Sequence, residues 1–322
     1  MRGGIERHAA GLAEELRRRG HAASVIRPTQ LRRADVADAD WLVFDGVRRL
    51  TVLRHARRNG PGLVLFPHGS FLEEAQRREL RRTGAWSTSG AFLARAAFDA
   101  SVGRRVFGRF DRWFVLTEGE GADVRRLLKV PPERISVLGL FLSREFLAAS
   151  AASPRPTRVR PPYVCAVSRI AARKNFGSLL EAIDGAPYLF VLAGQDRGGL
   201  AALKRASRQF PGARWEYLGP VAEAEKVDLI RGSDAVVVPS IVEGVPTLAL
   251  EALALGRRVL LAGLAYGPEG PGVVRCDPDP KSLRGGLDEL RTRPLPEPVP
   301  PSTVEATTDR FLSELGGTRP LQ

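Results

Sequence analysis

A chain of 322 residues with 43% hydrophobic content is long enough for two packed cores. Its two cysteines, Cys165 and Cys276, exclude a disulfide framework or a cysteine metal site and read as buried thiols of a reducing compartment. The net charge of +13 is uneven: residues 1–150 carry 27 Lys+Arg against 17 Asp+Glu, residues 151–322 carry 22 against 19. The basic first half suits an anionic partner such as a membrane surface or lipid phosphate, and a solvated arginine-rich surface accounts for it equally well. Charge without aromatic–basic interleaving gives no nucleic-acid module, so no nucleic acid is expected. No apolar run approaches the roughly 18 residues of a membrane span. Met1 is followed by glycines and a charged helix rather than by a signal peptide, so the expected location is cytoplasmic.

Short apolar runs alternate with amphipathic helical patterns from end to end, the signature of parallel α/β sheets. The first helix spans 5–19, with Ile5, Ala9, Leu12 and Leu16 on one face and Glu14, Glu15 and Arg17 to Arg19 mostly off it. Strands are expected near 23–26, 41–45, 63–67, 113–117 and 135–138, then near 163–168, 188–193, 214–218, 235–239, 258–262 and 272–275. Proline-broken residues 151–162 read as the linker between a domain at 1–150 and one at 163–300. Residues 301–322 hold a final helix near 303–315 that returns towards the first domain. A doubly wound domain normally begins with a strand that turns through glycines into its first helix. Here Gly3 and Gly4 arrive with no strand before them, so the first strand is missing from this sequence: either the domain lacks it or, the favoured reading, the translated start is placed too far downstream.

The most informative stretch is Pro239-Ser-Ile-Val-Glu-Gly-Val-Pro-Thr-Leu-Ala-Leu-Glu251. A strand ending in a tight turn that feeds a helix presents that helix's unpaired N–H groups to an anion such as phosphate. Glu243 before the turn and Glu251 two turns into the helix can both reach hydroxyls of a sugar or ribose. Ser168-Arg169 to Lys174-Asn175 follows the first strand of the second domain, so Arg169 and Lys174 project from the carboxyl edge of the sheet, where ligands of such folds bind. Fixed cations there stabilise the charge of a departing diphosphate. The turns at Gly194 and at Gly219-Pro220-Val221 end neighbouring strands and can line one crevice.

Together these residues resemble the retaining glycosyltransferases of family 4, glycosyl transferases group 1, which have the GT-B fold: two Rossmann-like doubly wound domains facing a central cleft. The resemblance rests on Gly3-Gly4-Ile5-Glu6-Arg7-His8, Arg19-Gly20-His21, Pro67-His68-Gly69, Leu116-Thr117-Glu118, Ser168-Arg169 to Lys174-Asn175, Leu218-Gly219, and Pro239-Ser240 through Glu243-Gly244 to Glu251-Ala252 and Gly256. It implies a UDP- or GDP-linked sugar donor on the second domain, a sugar or lipid-linked acceptor on the first, and no metal or other cofactor. By the same resemblance Arg169 and Lys174 bind the diphosphate, Glu243 meets the donor sugar, and Glu251 takes the ribose. Gly244, Val245 and Pro246 form the turn beside the phosphates, and Gly4 lies near the donor phosphate or acceptor. Gly194, Gly219 and Val221 line the donor crevice. His68 lies near the anomeric centre, with His8 and Glu118 on the acceptor side; Glu118 is equally placed to cap a helix.

Two segments depart from the family pattern: Val137 to Leu142, where members often carry Pro-Asn-Gly and an acidic residue, and the short loop after Val259-Leu260-Leu261. Residues 71–110 combine Arg77, Arg78, Arg81, Arg82, Arg104, Arg105 and Arg109 with Phe92, Phe98 and Phe107. They suit helices packed on the first sheet, a face lying on the inner surface of an anionic membrane, or an acceptor-lined wall of the cleft. The implied activity is sugar transfer in cell-envelope, glycolipid or glycan synthesis. The alternatives are a non-catalytic GT-B binding subunit and a sugar-nucleotide epimerase or hydrolase of the same shape.

Overall fold

The computed structural model describes residues 4–26, 39–45, 61–68, 107–154 and 158–316. In chain order these form α1 (Gly4–Arg18), β1 (Trp41–Asp45), β2 (Gly62–Phe66), β3 (Arg112–Val115), α2 (Glu118–Leu128), β4 (Ile135–Val137) and α3 (Arg144–Ala151). There follow β5 (Val164–Val167), α4 (Phe176–Ile183), β6 (Leu189–Ala193), α5 (Leu200–Ser207), β7 (Arg214–Gly219), α6 (Glu223–Gly232) and β8 (Ala235–Val238). The last elements are β9 (Val242–Glu243), α7 (Thr247–Ala254), β10 (Arg258–Ala262), β11 (Leu264–Ala265), β12 (Val273–Cys276), α8 (Pro280–Thr292) and α9 (Val304–Gly316).

Two compact units emerge. The first combines Arg2–Phe141 with Ser302–Gln322, and the second is Leu142–Pro301. The first unit's described sheet is parallel, in the order β1-β2-β3-β4. Pleating sends alternate side chains to opposite faces. Leu63, Leu65, Trp113 and Val115 pack with Val124 and Leu128 of α2. Val64, Phe66 and Phe114 pack with Leu12 of α1 and with Phe311 and Leu315 of α9. The final helix is thus part of this unit's core. Arg19 ties α1 to α9 by donating to the Glu305 carbonyl (3.0 Å) and pairing with Asp309. Glu15, expected off the apolar face, is buried, held by Arg18 at 3.0 Å and Arg19 at 2.8 Å. Residues 23–26 are not a strand; Val25 and Ile26 lie in exposed, irregular chain.

The second unit is a six-stranded parallel sheet in the order β12-β10-β8-β5-β6-β7. Val164 to Val167 and Ala235 to Val238 are buried at every position. Such unbroken apolar runs are what a sheet covered by helices on both faces requires. One face packs on α4 and α8, the other on α6 and α7. The chain order reverses between β5 and β8, so the loops after these two strands leave the sheet side by side.

The junction between the units falls at Phe141 and Leu142 rather than across 151–162. Ser143 caps α3 by accepting from the Phe146 N–H (3.2 Å), and Phe146 packs on Leu142 and Val227 inside the second unit. The proline-broken stretch lies inside the same unit: Val159 is buried in its core, and Arg231 donates to the Ser150 and Ala152 carbonyls. Most of the basic segment at 71–110, along with Gly3 and His55, lies outside the described residues. Of that segment's apolar residues Phe107 is described, and it is buried against Trp113. No helix among the described residues is long and apolar enough to cross a membrane.

Candidate active site

The loops after β5 and β8 bring Arg169, Arg173, Lys174 and Glu243 to the carboxyl edge of the second unit's sheet. After β5 the chain passes Ser168 and Arg169, turns through a short 3-10 segment at Ala172–Lys174, and enters α4 through Asn175. Asn175 is left-handed (φ 58°), a conformation its short polar side chain tolerates. Its Nδ2 donates to the carbonyls of Pro239 (3.1 Å) and Pro278 (2.7 Å), fastening three strand-end loops together. The Ile241 N–H donates to the Arg173 carbonyl (3.1 Å), which joins the two loops again through the backbone.

These fastenings bring Glu243 onto Lys174. The Lys174 ammonium donates to Glu243 Oε1; Arg173 Nη1 lies 3.1 Å from that oxygen and Ser240 Oγ 2.8 Å. No donor among the described residues reaches Oε2. Burial works against the Glu243 charge, but Lys174 and Arg173 outweigh it and hold the carboxyl below its ordinary range. Burial lowers Lys174 from the usual lysine value, and the nearby charges of Arg173 and Arg169 push the same way against the pull of Glu243. Arg169 is exposed, and its guanidinium makes no hydrogen bond or ion pair among the described residues.

The loop after β10 has a definite task. Leu264–Ala265 pairs in parallel with Val242–Glu243, and the Tyr266 N–H donates to the Gly244 carbonyl (3.1 Å). This two-residue ladder fixes the backbone that carries Glu243. It requires Gly263 (φ 65°), since a Cβ there would sit 2.4 Å from the Ile241 carbonyl oxygen. Gly244 and Val245 are partly buried and Pro246 is buried. Pro246 precedes α7 and no side chain caps that helix, so its N-terminal donors are not taken by a cap.

Glu251 is placed differently from Glu243. It is 3% exposed, and its Oε1 lies 2.7 Å from the ammonium of Lys226 on α6. Gly194 follows β6 and Gly219 ends β7; the two are joined by the Gly194 N–H donating to the Gly219 carbonyl (2.8 Å) and by Tyr217 Oη donating to the Gly194 carbonyl (2.8 Å). Val221 packs partly buried against the core just beyond.

In the first unit, His8 and His68 meet edge to face with ring centroids 5.0 Å apart, and His8 also stacks on Phe141 at 4.9 Å. His68 lies two residues past β2 with φ 50°, a sparsely populated conformation for a non-glycine residue and one that accompanies functional sites. Gly4 opens α1. Glu118 is exposed on the first turn of α2 and does not cap it. Thr117 Oγ1 accepts from the Glu120 N–H (3.2 Å), and buried Glu120 accepts from the Leu116 N–H (2.8 Å). The Thr-x-x-Glu spacing of a capping box was there to be read at 117–120. Arg173, Ser240 and Lys226 also went unassigned, because a basic loop, a serine and a helical lysine carry no periodic signal.

The two thiols offer no ready nucleophile: burial pushes Cys165 and Cys276 each up to about 12. Among the described residues no three His, Cys, Asp or Glu side chains are grouped to hold a metal ion.

The parallel sheets and their helices define a GT-B glycosyltransferase fold. Across 98% of this chain and 77% of that one, the fold is similar to a glycosyltransferase from Rickettsia africae, with a TM-score of 0.56 and 12% identity. It is also similar to sucrose-phosphate synthase from Thermosynechococcus elongatus, with a TM-score of 0.55 and 18% identity over 82% of this chain and 66% of that one. Residues 152–269, which include every charge of the second-unit cluster, match the family Glycosyl transferases group 1. Over 173 residues the chain is 31% identical to D-inositol 3-phosphate glycosyltransferase of Mycobacterium tuberculosis. That alignment takes in 50% of this chain and 36% of the relative, so the chain spans about a third of the length of the curated relatives it matches.

Proposed function

We propose that the chain transfers a sugar, with retention, from a nucleoside diphosphate donor to a hydroxyl acceptor. The observation that carries this reading is the Lys174–Glu243 contact, set at the strand-order reversal and inside the family segment. Ligands of open α/β sheets bind outside the carboxyl ends of strands at such a reversal. In this reading the incoming diphosphate takes over Lys174 and Arg169 while the N–H groups that open α7 face its oxygens. Glu243, released in part from Lys174, turns to the donor sugar through Oε2. Glu251 meets the ribose, and Gly194, Gly219 and Val221 line the base crevice.

As the bond from the anomeric carbon to the phosphate oxygen breaks, negative charge grows on the diphosphate and fixed cations stabilise it. The acceptor oxygen bonds to the anomeric carbon on the same face, and its proton passes to the departing phosphate oxygen. No protein nucleophile takes part. His68 and His8 are assigned to the acceptor side, and Gly4 to the donor phosphate or acceptor. The chain's own cations carry the diphosphate charge, so the reading includes no metal, and excess EDTA is expected to leave turnover unchanged. The proposed acceptor is a sugar or lipid-linked hydroxyl of the cell envelope, compatible with the basic first half, with the chain acting in the cytoplasm or on the inner face of an anionic membrane.

Isothermal titration with UDP, GDP and ADP tests the reading. One diphosphate is expected to bind, with affinity at least about tenfold weaker in Lys174→Ala, the loss expected for a charged hydrogen bond. A donor panel scored by diphosphate release then identifies the sugar, and the anomeric proton of the product reports retention. Failure of all three diphosphates to bind overturns the reading in favour of a non-catalytic subunit.

A further inference from the structure

We propose that Lys226 is the positioning residue through which this chain selects a ribose-containing donor. The inference rests on the reading of Glu251 as the ribose-binding carboxylate. Lys226 lies on α6, where a lysine would ordinarily extend into water, yet it is 5% exposed. Its ammonium stands 2.7 Å from Glu251 Oε1 on α7 and 2.5 Å from Glu223 Oε1 one turn back on its own helix. The ring of Phe146, from α3, lies 5.3 Å from the same nitrogen. An ammonium has three N–H donors and no acceptor. Glu251 Oε1 accepts from the ammonium, Glu223 Oε1 pairs with it as an ion, and the Phe146 ring lies beside it, so Lys226 acts through Glu251 rather than on the ligand.

The arrangement has two consequences for the carboxylate. First, Glu251 Oε1 is held by the Lys226 ammonium, which Glu223 on its own helix and Phe146 of α3 hold in place in turn. Second, Glu223 shares the ammonium, so the trio keeps a net negative charge and Glu251 still attracts hydroxyl donors. A fixed, buried acceptor discriminates strongly against a ligand that lacks the matching hydroxyl, because the acceptor then loses its partner. Without Lys226 the carboxylate loses the donor that fixes Oε1, and the preference for an intact ribose weakens.

The test uses the purified full-length chain and titrates the nucleoside diphosphate that binds, its 2′-deoxy and 3′-deoxy counterparts, and inorganic pyrophosphate. The wild-type chain is expected to favour the ribonucleotide over at least one deoxy form by about tenfold or more. In Lys226→Met and Lys226→Gln that preference falls to about threefold or less, while pyrophosphate affinity stays within about twofold. Adding Lys226→Met to Glu251→Gln changes the preference no further, as expected of a residue acting through the other.

An unchanged preference in both variants overturns the inference. So does a parallel loss of pyrophosphate affinity, or failure to recover either variant folded, since both assign Lys226 a purely structural role. A wild-type chain that binds the diphosphate without any ribose preference also overturns it and leaves the transferase reading standing. A chain that binds no nucleoside diphosphate removes both.

Discussion

A side-chain carbon on Gly194 would stand 2.0 Å from the carbonyl oxygen of Ser168. The end of β6 therefore touches the start of the Arg169–Lys174 loop backbone to backbone, and glycine is required at that contact. Gly194 also has φ 131°, which L-residues rarely adopt. Gly194→Ala is expected to destabilise the chain by about 2–4 kcal/mol, the cost of combined overpacking and backbone strain. The midpoint of urea denaturation measures this, and a loss below about 0.5 kcal/mol contradicts the close contact.

Asn175 combines left-handed backbone with a two-carbonyl clamp, and two substitutions separate these roles. Asn175→Gly keeps the backbone freedom and loses the clamp to Pro239 and Pro278, at a cost of about 1–2 kcal/mol. Asn175→Ala loses both and costs about 1 kcal/mol more. Equal denaturation midpoints for the two variants exclude a backbone contribution.

The ion pair at Glu243 gives stability a defined pH dependence. The carboxyl titrates lower folded than unfolded, so in the intervening window the unfolded chain binds the extra proton. The stabilisation is fully present above the ordinary glutamate range, near pH 4.5, and is lost as pH falls through the folded value. Thermal melts of wild type and Glu243→Gln are expected to converge as pH drops below that range. Curves that stay parallel to the acid limit count against the pairing.

In the proposed reaction Lys174 is one of the cations that meet the departing diphosphate. Lys174→Ala is expected to lower kcat about 10²–10³-fold, the range for removing one pre-aimed stabilising group. Steady-state turnover with the identified donor measures it, and a loss smaller than about tenfold moves the duty to Arg169 or Arg173.

Phe311 sits 5.1 Å from Phe114 and 6.1 Å from Phe66, ring centre to ring centre, and is 2% exposed. Phe311→Ala is expected to cost about 3–5 kcal/mol. The loss falls on the first unit, while titration of nucleoside diphosphate to the second unit stays unchanged. Calorimetry that shows no early melting component in this variant argues against α9 as core.

Periodicity exposed the elements because each needs only its own residues: Val164 to Val167 and Ala235 to Val238 are apolar at every position, as two-sided burial demands. The 23–26 strand failed on the same signal, since Val25 and Ile26 are apolar but unpaired and exposed. The paired residues 242–243 and 264–265 form too short a ladder for any period to register. Helix 144–151 was drawn into the first domain because its partner Val227 is some eighty positions away. In the site, Lys174 and Glu243 were legible from motif spacing, and they meet. The ammonium on Glu251 was not legible, because Lys226 looks like any helical lysine until α3 and α7 close around it.

The first unit is discontinuous in the chain, with Leu142–Pro301 inserted between Phe141 and Ser302. During synthesis the inserted unit leaves the ribosome complete while Leu12 and Phe66 still lack Phe311. The usual order, in which an amino-terminal domain matures first, is therefore reversed. The apolar face on α1 and β2 thus stays unfinished until α9 has been translated.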